Sequence, residues 1–303
     1  MLTRRIRPAS PGRAASRGRS RAHLPRAARP RGTVVTLWKN RCVPTIPRLI
    51  AFDLDDTLAP SKSPVEPRML AVFARLLDRT SVAVISGGNF EQFEMQLVDR
   101  LDAFQGVDET ALERLHLLPT CGTRYEHREN GAWVTVYREN LTPDERDAAL
   151  TALREEAQRL GLWEAEPWGE ILEDRGSQVT FSALGQRAPV AAKQRWDPDG
   201  SKKNTLRAAV AARLPGLEVR SGGSTSVDIT RRGIDKAYGM RKLEANTGIP
   251  LEEMLFVGDR LDPDGNDYPV KTLGVPCRAV EDWEDTAAFL EELLAEERIA
   301  PPA

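Results

Sequence analysis

Two aspartates, Asp53 and Asp55, sit two positions apart in the run Asp53-Leu-Asp55-Asp56-Thr57-Leu58, directly after the apolar stretch Leu49-Ile-Ala-Phe52. A short apolar run of this kind reads as a buried parallel strand, and open parallel sheets gather ligands at the carboxyl ends of their strands. There the two carboxylates can divide the work, one attacking an electrophile and the other moving a proton. Crowding them also costs repulsion, which a divalent cation relieves. The competing reading is a solvated acidic turn, which the run's place directly after a buried strand disfavours.

Three further segments offer chemistry that fits. Met254-Leu-Phe-Val257 leads into Gly258-Asp259 and, after six more residues, Asn266-Asp267. This is a second apolar strand ending in hard oxygen donors, the type that suits magnesium. Asp262-Pro-Asp264-Gly265 imitates part of a calcium loop, but with Gly265 as its sixth residue the first would be Arg260 and the twelfth Lys271, which cannot supply the end carboxylates. Gly233-Ile-Asp235-Lys236 opens a helix, where an ammonium can neutralise a carboxylate and hold a phosphate oxygen; a lysine there is also common surface decoration. Ser86-Gly87-Gly88-Asn89 follows the apolar run Val82-Ala-Val-Ile85 and makes either a phosphate cradle at a helix start or an ordinary tight turn.

The elements that must position these residues alternate. Apolar residues at helical spacing (Met69, Val72, Phe73, Leu76, Leu77) predict a helix within 64–80. A second helix is predicted from about 90 to 101 and a third strand at Leu115–Leu118, so the opening section reads as a parallel sheet with helices on both faces. The pattern then changes. Glu129-Asn130-Gly131 marks a hairpin, and strand pairs alternate with helices near 143–160 and 202–214 up to Ser226–Thr230. After Gly233 the first pattern returns, with a helix at about 236–247, the Met254–Val257 strand, a strand at Val275–Arg278 and a final helix from Trp283. The expected fold is therefore α/β: a Rossmann-like open parallel sheet at 45–123 and 229–303, interrupted by an α+β insert at 124–228.

Taken in order, the four segments resemble the four motifs of the haloacid dehalogenase (HAD) superfamily, and the insert occupies the place of its C2-type cap. One branch is closer, the eukaryotic-type phosphomannomutases. Gly87-Gly-Asn-Phe-Glu91, Gly222-Gly-Ser-Thr-Ser226-Val-Asp228, Gly233-Ile-Asp-Lys236, the long spacing from Asp259 to Asn266-Asp267, and Glu281-Asp282 all resemble that branch. The resemblance implies a nucleophile at Asp53 that becomes an aspartyl phosphate, and a general acid/base at Asp55. It implies Mg2+ held by Asp53, the Asp55 carbonyl and Asp259, with Asn266 and Asp267 in support, and Lys236 orienting Asp53. Thr57, Ser86, Gly87 and Gly88 would line the transferred phosphate, Ser226 and Asp228 the sugar, and Arg175 the distal phosphate. It also implies a homodimer formed through the caps. The departures are Trp168 and Gln186 where that branch carries arginines, and Ser86 where it carries glycine. Arg124, Arg128 and Arg138 are the candidates to compensate.

The readings that follow are a phosphatase or phosphotransferase for a small phosphorylated sugar, with phosphomannomutase as the alternative. A non-catalytic binding protein with a basic tail is the third. Apolar residues at 41% and charged residues at 29% fit a globular body. The net charge is −2, yet Met1–Arg41 carries eleven Arg, one Lys and no acid, which leaves about −14 on the remainder and argues against nucleic acid as a partner. The head at 1–44 is read as a disordered basic extension or an over-long start, ahead of a transit segment or a nucleic-acid tail. No run is long and apolar enough for a membrane span. Three scattered cysteines (Cys42, Cys121, Cys277) fit reduced thiols in a cytoplasm.

Overall fold

The computed structural model describes residues 46–296; the basic head expected at 1–44, with Cys42, lies outside them. The chain begins with β1 (Leu49–Phe52), α1 (Pro67–Leu77) and β2 (Ser81–Ile85). α2 (Phe90–Phe93) runs through a π turn (Glu94–Val98) into α3 (Asp99–Asp102), where the sequence predicts one regular helix. α4 (Glu109–Leu112) and β3 (Leu115–Leu118) follow. β4 (Arg124–Glu129) and β5 (Ala132–Arg138) then form the expected hairpin, with Asn130 and Gly131 at φ 50° and 81°, the left-handed values of a two-residue hairpin turn.

The insert comprises α5 (Pro143–Arg159), β6 (Leu172–Asp174), β7 (Gln178–Ser182), α6 (Val190–Trp196), α7 (Ser201–Arg213), β8 (Leu217–Ser221) and β9 (Ser226–Arg231). A capping box between Thr142 and Glu145, with Pro143 in the first turn, starts α5. The chain closes with α8 (Lys236–Thr247), β10 (Met254–Gly258), α9 (Tyr268–Thr272), β11 (Cys277–Ala279) and α10 (Trp283–Glu296).

Seven strands form the main sheet in the order β11-β10-β1-β2-β3-β4-β5, parallel as far as β3 and antiparallel beyond it. Period-two alternation sends Ile50, Phe52, Val82 and Val84 to one face, under α1 to α4 and α10, while Leu49, Ala51, Ala83 and Ile85 meet α8 and α9 on the other. This is the three-layer α/β arrangement the sequence predicts, and at about 25 cal/mol per Å2 its two apolar faces are the main stabilising term.

The insert has its own antiparallel sheet, β6-β7-β9-β8, and its own core, where Val179, Phe181, Val227 and Ile229 pack on Ala149, Leu153, Leu206 and Val210 of α5 and α7. Its boundary is not at 124. β4 pairs with β3 (His116 opposite His127), so the hairpin extends the main sheet. Tyr125 packs into one core face, and Trp133 packs against the other. The second sheet's last strand runs to Arg231, past the expected end at 228. Turn chemistry marks a hairpin locally, but which sheet accepts it depends on partners distant in sequence.

Candidate active site

Parallel pairing builds the site. Phe52 lies opposite both Val257 of β10 and Val84 of β2, and the Asp53 amide donates to the Val257 carbonyl at 3.0 Å. Asp53, Asp259 and Ser86 therefore leave the sheet at the same end, each one residue beyond its own strand, on three adjacent strands.

Asp53 is buried at 4% exposure, and its Oδ1 accepts from the Leu54 amide at 2.7 Å and lies 2.6 Å from Lys236 Nζ. Lys236, 1% exposed, also reaches Asp267 Oδ1 at 2.5 Å. It sits in the first turn of α8, which is started by the Asp235 side chain accepting from the Tyr238 amide. Asp267 is tucked beneath the fourth-motif loop, its Oδ2 accepting from the Arg260 amide at 3.1 Å. A Cβ on Gly258 would lie 2.3 Å from that same Oδ2, so only glycine lets Asp267 in. Thr57 Oγ1 donates to Asp259 Oδ1 at 3.4 Å.

The electrostatics follow from burial. Desolvation pushes the Asp53 carboxyl well above its ordinary range; Lys236 opposes the shift, and Asp267 adds to it. Asp259 is raised for the same two reasons, burial first and then Asp267. Burial alone would lower Lys236, but Asp267 and Asp53 outweigh it and hold the ammonium above its ordinary range. One ammonium thus faces three carboxylates, Asp53, Asp259 and Asp267, each offering an oxygen within 4.8 Å of the others. A hard-oxygen donor set with this excess of negative charge fits Mg2+.

The other expected residues divide. Ser86 is buried and its Oγ accepts from the Gly88 amide at 3.1 Å, which fixes the loop and leaves its proton free for an incoming oxygen. The Asp55 side chain turns to Gln92 and Gln96, and Asn266 is exposed on its loop. On the insert, β7 and β9 alternate: Gln178, Thr180 and Ser182 are buried polar residues on the face opposite Val179 and Phe181. Asp228 belongs to this polar face, accepting from Gln178 Nε2 at 3.0 Å and Thr180 Oγ1 at 2.8 Å. Burial raises its carboxyl, against the pull of Arg175. Ser226 is half-buried on the same strand.

The insert lies against the second-motif loop. Arg175 Nη1 donates to the Gly87 carbonyl at 2.8 Å and Nη2 to Glu173 at 2.8 Å, while Asn89 Nδ2 donates to Glu173 at 2.8 Å. The Arg175 Nε is buried without a partner. None of the three proposed substitutes is free. Arg128 is paired with Asp102 and Glu109, Arg124 with Glu126, and Arg138 bonds Thr135 beside Glu126.

The residues missed by sequence reasoning are Lys62 and Lys193. Lys62, at φ 56°, donates its amide to Asp55 at 2.7 Å and reaches across to Gln186 Oε1 at 3.4 Å. Lys193 Nζ donates to the Gln186 carbonyl at 3.1 Å. Burial and the neighbouring Lys62 charge lower Lys193 from its ordinary value. Gln186 Nε2 lies buried among them with no partner. A lone lysine nine residues after the nucleophile was the only available signal, and nothing local distinguished it from a surface residue.

The eukaryotic phosphomannomutase family model matches residues 168–296. The phosphomannomutase of Saccharomyces cerevisiae is 24% identical over 264 residues, covering 81% of this chain and 93% of its own. Phosphomannomutase 1 of Homo sapiens is 24% identical over 235 residues, covering 73% and 82%. Among solved structures, an N-terminally truncated IMP-nucleotidase of Plasmodium falciparum superposes with a TM-score of 0.62 at 13% identity over 86% of this chain and 72% of that one. A haloacid dehalogenase-like hydrolase of Bacteroides thetaiotaomicron gives 0.56 at 18%, over 82% and 100%. The fold is that of haloacid dehalogenase-like proteins, with an acidic site at the ends of its parallel strands. In sequence the chain is similar to eukaryotic phosphomannomutases. Among the described residues no helix is long and apolar enough to cross a membrane.

Proposed function

We propose that the chain transfers the phosphoryl group of a small sugar phosphate through a covalent aspartyl phosphate on Asp53. The observation that carries this is the buried Asp53 carboxylate 2.6 Å from Lys236, with Asp259 and Asp267 oxygens within 4.8 Å. The free Asp53 oxygen attacks phosphorus as the ester P–O bond breaks, and the leaving sugar oxygen takes a proton from Asp55. Lys236 and the Ser86 hydroxyl face the phosphoryl oxygens. Asp53, Asp259 and Asp267 would hold Mg2+. Once bound, the ion offsets negative charge on the transferring group.

The second step sets the outcome. A sugar hydroxyl attacking the aspartyl phosphate gives a mutase. Water attacking it, with Asp55 taking the proton, gives a phosphatase. The mutase reading is supported by the phosphomannomutase relatives and by the cations Lys62 and Lys193 around Gln186, which would hold a second phosphate. The phosphatase reading is supported by Gln186 and Trp168 standing where that branch carries arginines, and by Arg175 being tied to Gly87 and Glu173.

Incubation with mannose 1-phosphate and a trace of sugar bisphosphate, with Asp53→Asn as control, separates them. Bisphosphate-dependent mannose 6-phosphate establishes the mutase, and rapid free phosphate establishes the phosphatase. If Asp53→Asn is as active as the parent, both readings fail.

A further inference from the structure

Asp55 is fixed by side chains outside the nucleophile cluster. Its Oδ2 accepts from Gln92 Nε2 at 3.0 Å, and its Oδ1 accepts from Gln96 Nε2 at 3.2 Å and from the Lys62 amide at 2.7 Å. Each side-chain amide nitrogen carries two protons, and the second of each is also used. Gln92 Nε2 donates to Gln96 Oε1 at 2.7 Å, and Gln96 Nε2 donates to the Ser63 carbonyl at 2.9 Å.

The chain of donors has one possible direction. The Ser63 carbonyl can only accept, so Gln96 must turn its NH2 toward it, and that same NH2 then faces Asp55. The Gln96 oxygen in turn fixes the NH2 of Gln92. Reversing either amide would set oxygen against oxygen, and Gln96 is fully buried, where an unpaired polar group is disfavoured. Two features hold the pair in place. A Cβ on Gly88 would lie 2.4 Å from Gln92 Oε1, so the glycine leaves that space to the glutamine. Gln96 sits within the π turn at Glu94–Val98, a departure from regular helix that concentrates at functional sites.

Counting lone pairs makes the arrangement specific. Oδ1 takes two donors and Oδ2 takes one, which leaves an open acceptor position on Oδ2. We propose that Gln92 and Gln96 are positioning residues for Asp55, holding its carboxylate in one orientation with Oδ2 as the oxygen that carries the proton to the leaving group. The proposal rests on the phosphoryl-transfer reading and deepens it. In the forward step the proton passes from Asp55 to the sugar oxygen as the P–O bond breaks; in the return step the attacking hydroxyl gives its proton back to the same oxygen.

The test uses two esters. A sugar phosphate leaves as an alkoxide that needs the proton, whereas p-nitrophenyl phosphate leaves as a stable phenolate that does not. Gln92→Met keeps length and removes the donors at a half-buried position, with Gln92→Leu as a second variant and a thermal melt as the check on folding. The expected result is kcat on the sugar phosphate lower by about 10- to 100-fold, KM changed less than about twofold, and the pre-steady-state burst of p-nitrophenolate, which reads phosphorylation of Asp53 alone, within about threefold of the parent. In an Asp55→Asn background the Gln92 substitution should have no further effect, because its target is gone. Equal loss in sugar-phosphate turnover and in the burst, unchanged sugar-phosphate turnover, or full additivity with Asp55→Asn overturns this proposal alone. Absence of any Asp53-dependent transfer by the parent enzyme overturns the phosphoryl-transfer reading and this proposal with it.

Discussion

Lys236 is the residue on which the site's charge balance turns. It is the buried ammonium between Asp53 and Asp267, and desolvation of a carboxylate is tolerable only beside such a partner. Replacing it with Met leaves two buried carboxylates facing each other, which should destabilise the fold by about 3–5 kcal/mol, read from denaturant midpoints. The sign of the pH dependence follows from Asp53, whose carboxyl is raised by burial. Below the unfolded carboxylate pKa both states are protonated and little is lost; as pH rises through the folded value the penalty appears. The Lys236→Met deficit should therefore be smallest near pH 4 and grow toward neutrality. Added Mg2+ should recover part of it, by an amount set by ligand linkage at about 2.7 kcal/mol for a hundredfold excess over Kd. A variant as stable as the parent at pH 7 would contradict this account of the site.

At the scale of elements, β3 carries a second buried titrating group, unconnected with the chemistry. His116 on β3 bonds the Tyr125 hydroxyl through Nδ1 at 2.7 Å, and its ring stacks on His127 of β4 at 5.0 Å. Burial first, then the His127 charge, lowers its pKa to about 3. An unfolded histidine titrates near 6.5, so this group contributes stability that is fully present above that pH and lost as pH falls toward 3. The slope from it is about 1.4 kcal/mol per pH unit across that window. His116→Phe keeps a flat ring between β3 and its hairpin and should flatten the stability–pH curve below 6.5, measured by urea denaturation at several pH values. Parallel curves for variant and parent would show that His116 protonates in the folded chain.

At the scale of the whole molecule, Lys62 of the loop after β1, whose amide bonds Asp55, and Lys193 of α6 in the insert converge on Gln186. Removing the two cations proposed to hold a substrate's second phosphate should matter only for substrates that have one. Lys62→Met with Lys193→Met is expected to raise KM for a sugar bisphosphate roughly 10- to 100-fold, the scale of one or two charge-assisted hydrogen bonds. Turnover of p-nitrophenyl phosphate should stay near that of the parent. Steady-state kinetics on the two compounds decide it, and an equal KM rise for both would assign the lysines to the transferred phosphate instead.

The sequence by itself determined the alternation of strands and helices, the hairpin at Asn130-Gly131, and the placement of Asp53 and Asp259 beyond strands, of Asp267 on the loop after the second of them and of Lys236 at a helix start. These are local signals: apolar period, turn residues and carboxylates beyond an apolar run, each readable within about ten residues. Tertiary structure alone decided that β4 and β5 join the main sheet, that Arg124, Arg128 and Arg138 are consumed by neighbouring acids, and that Asp55 is held by Gln92 and Gln96. The reason is physical. A side chain's role depends on which partner satisfies it, and here those partners lie far off in sequence: Lys236 is 31 residues from Asp267, Lys62 124 from Gln186, and Arg175 88 from Gly87.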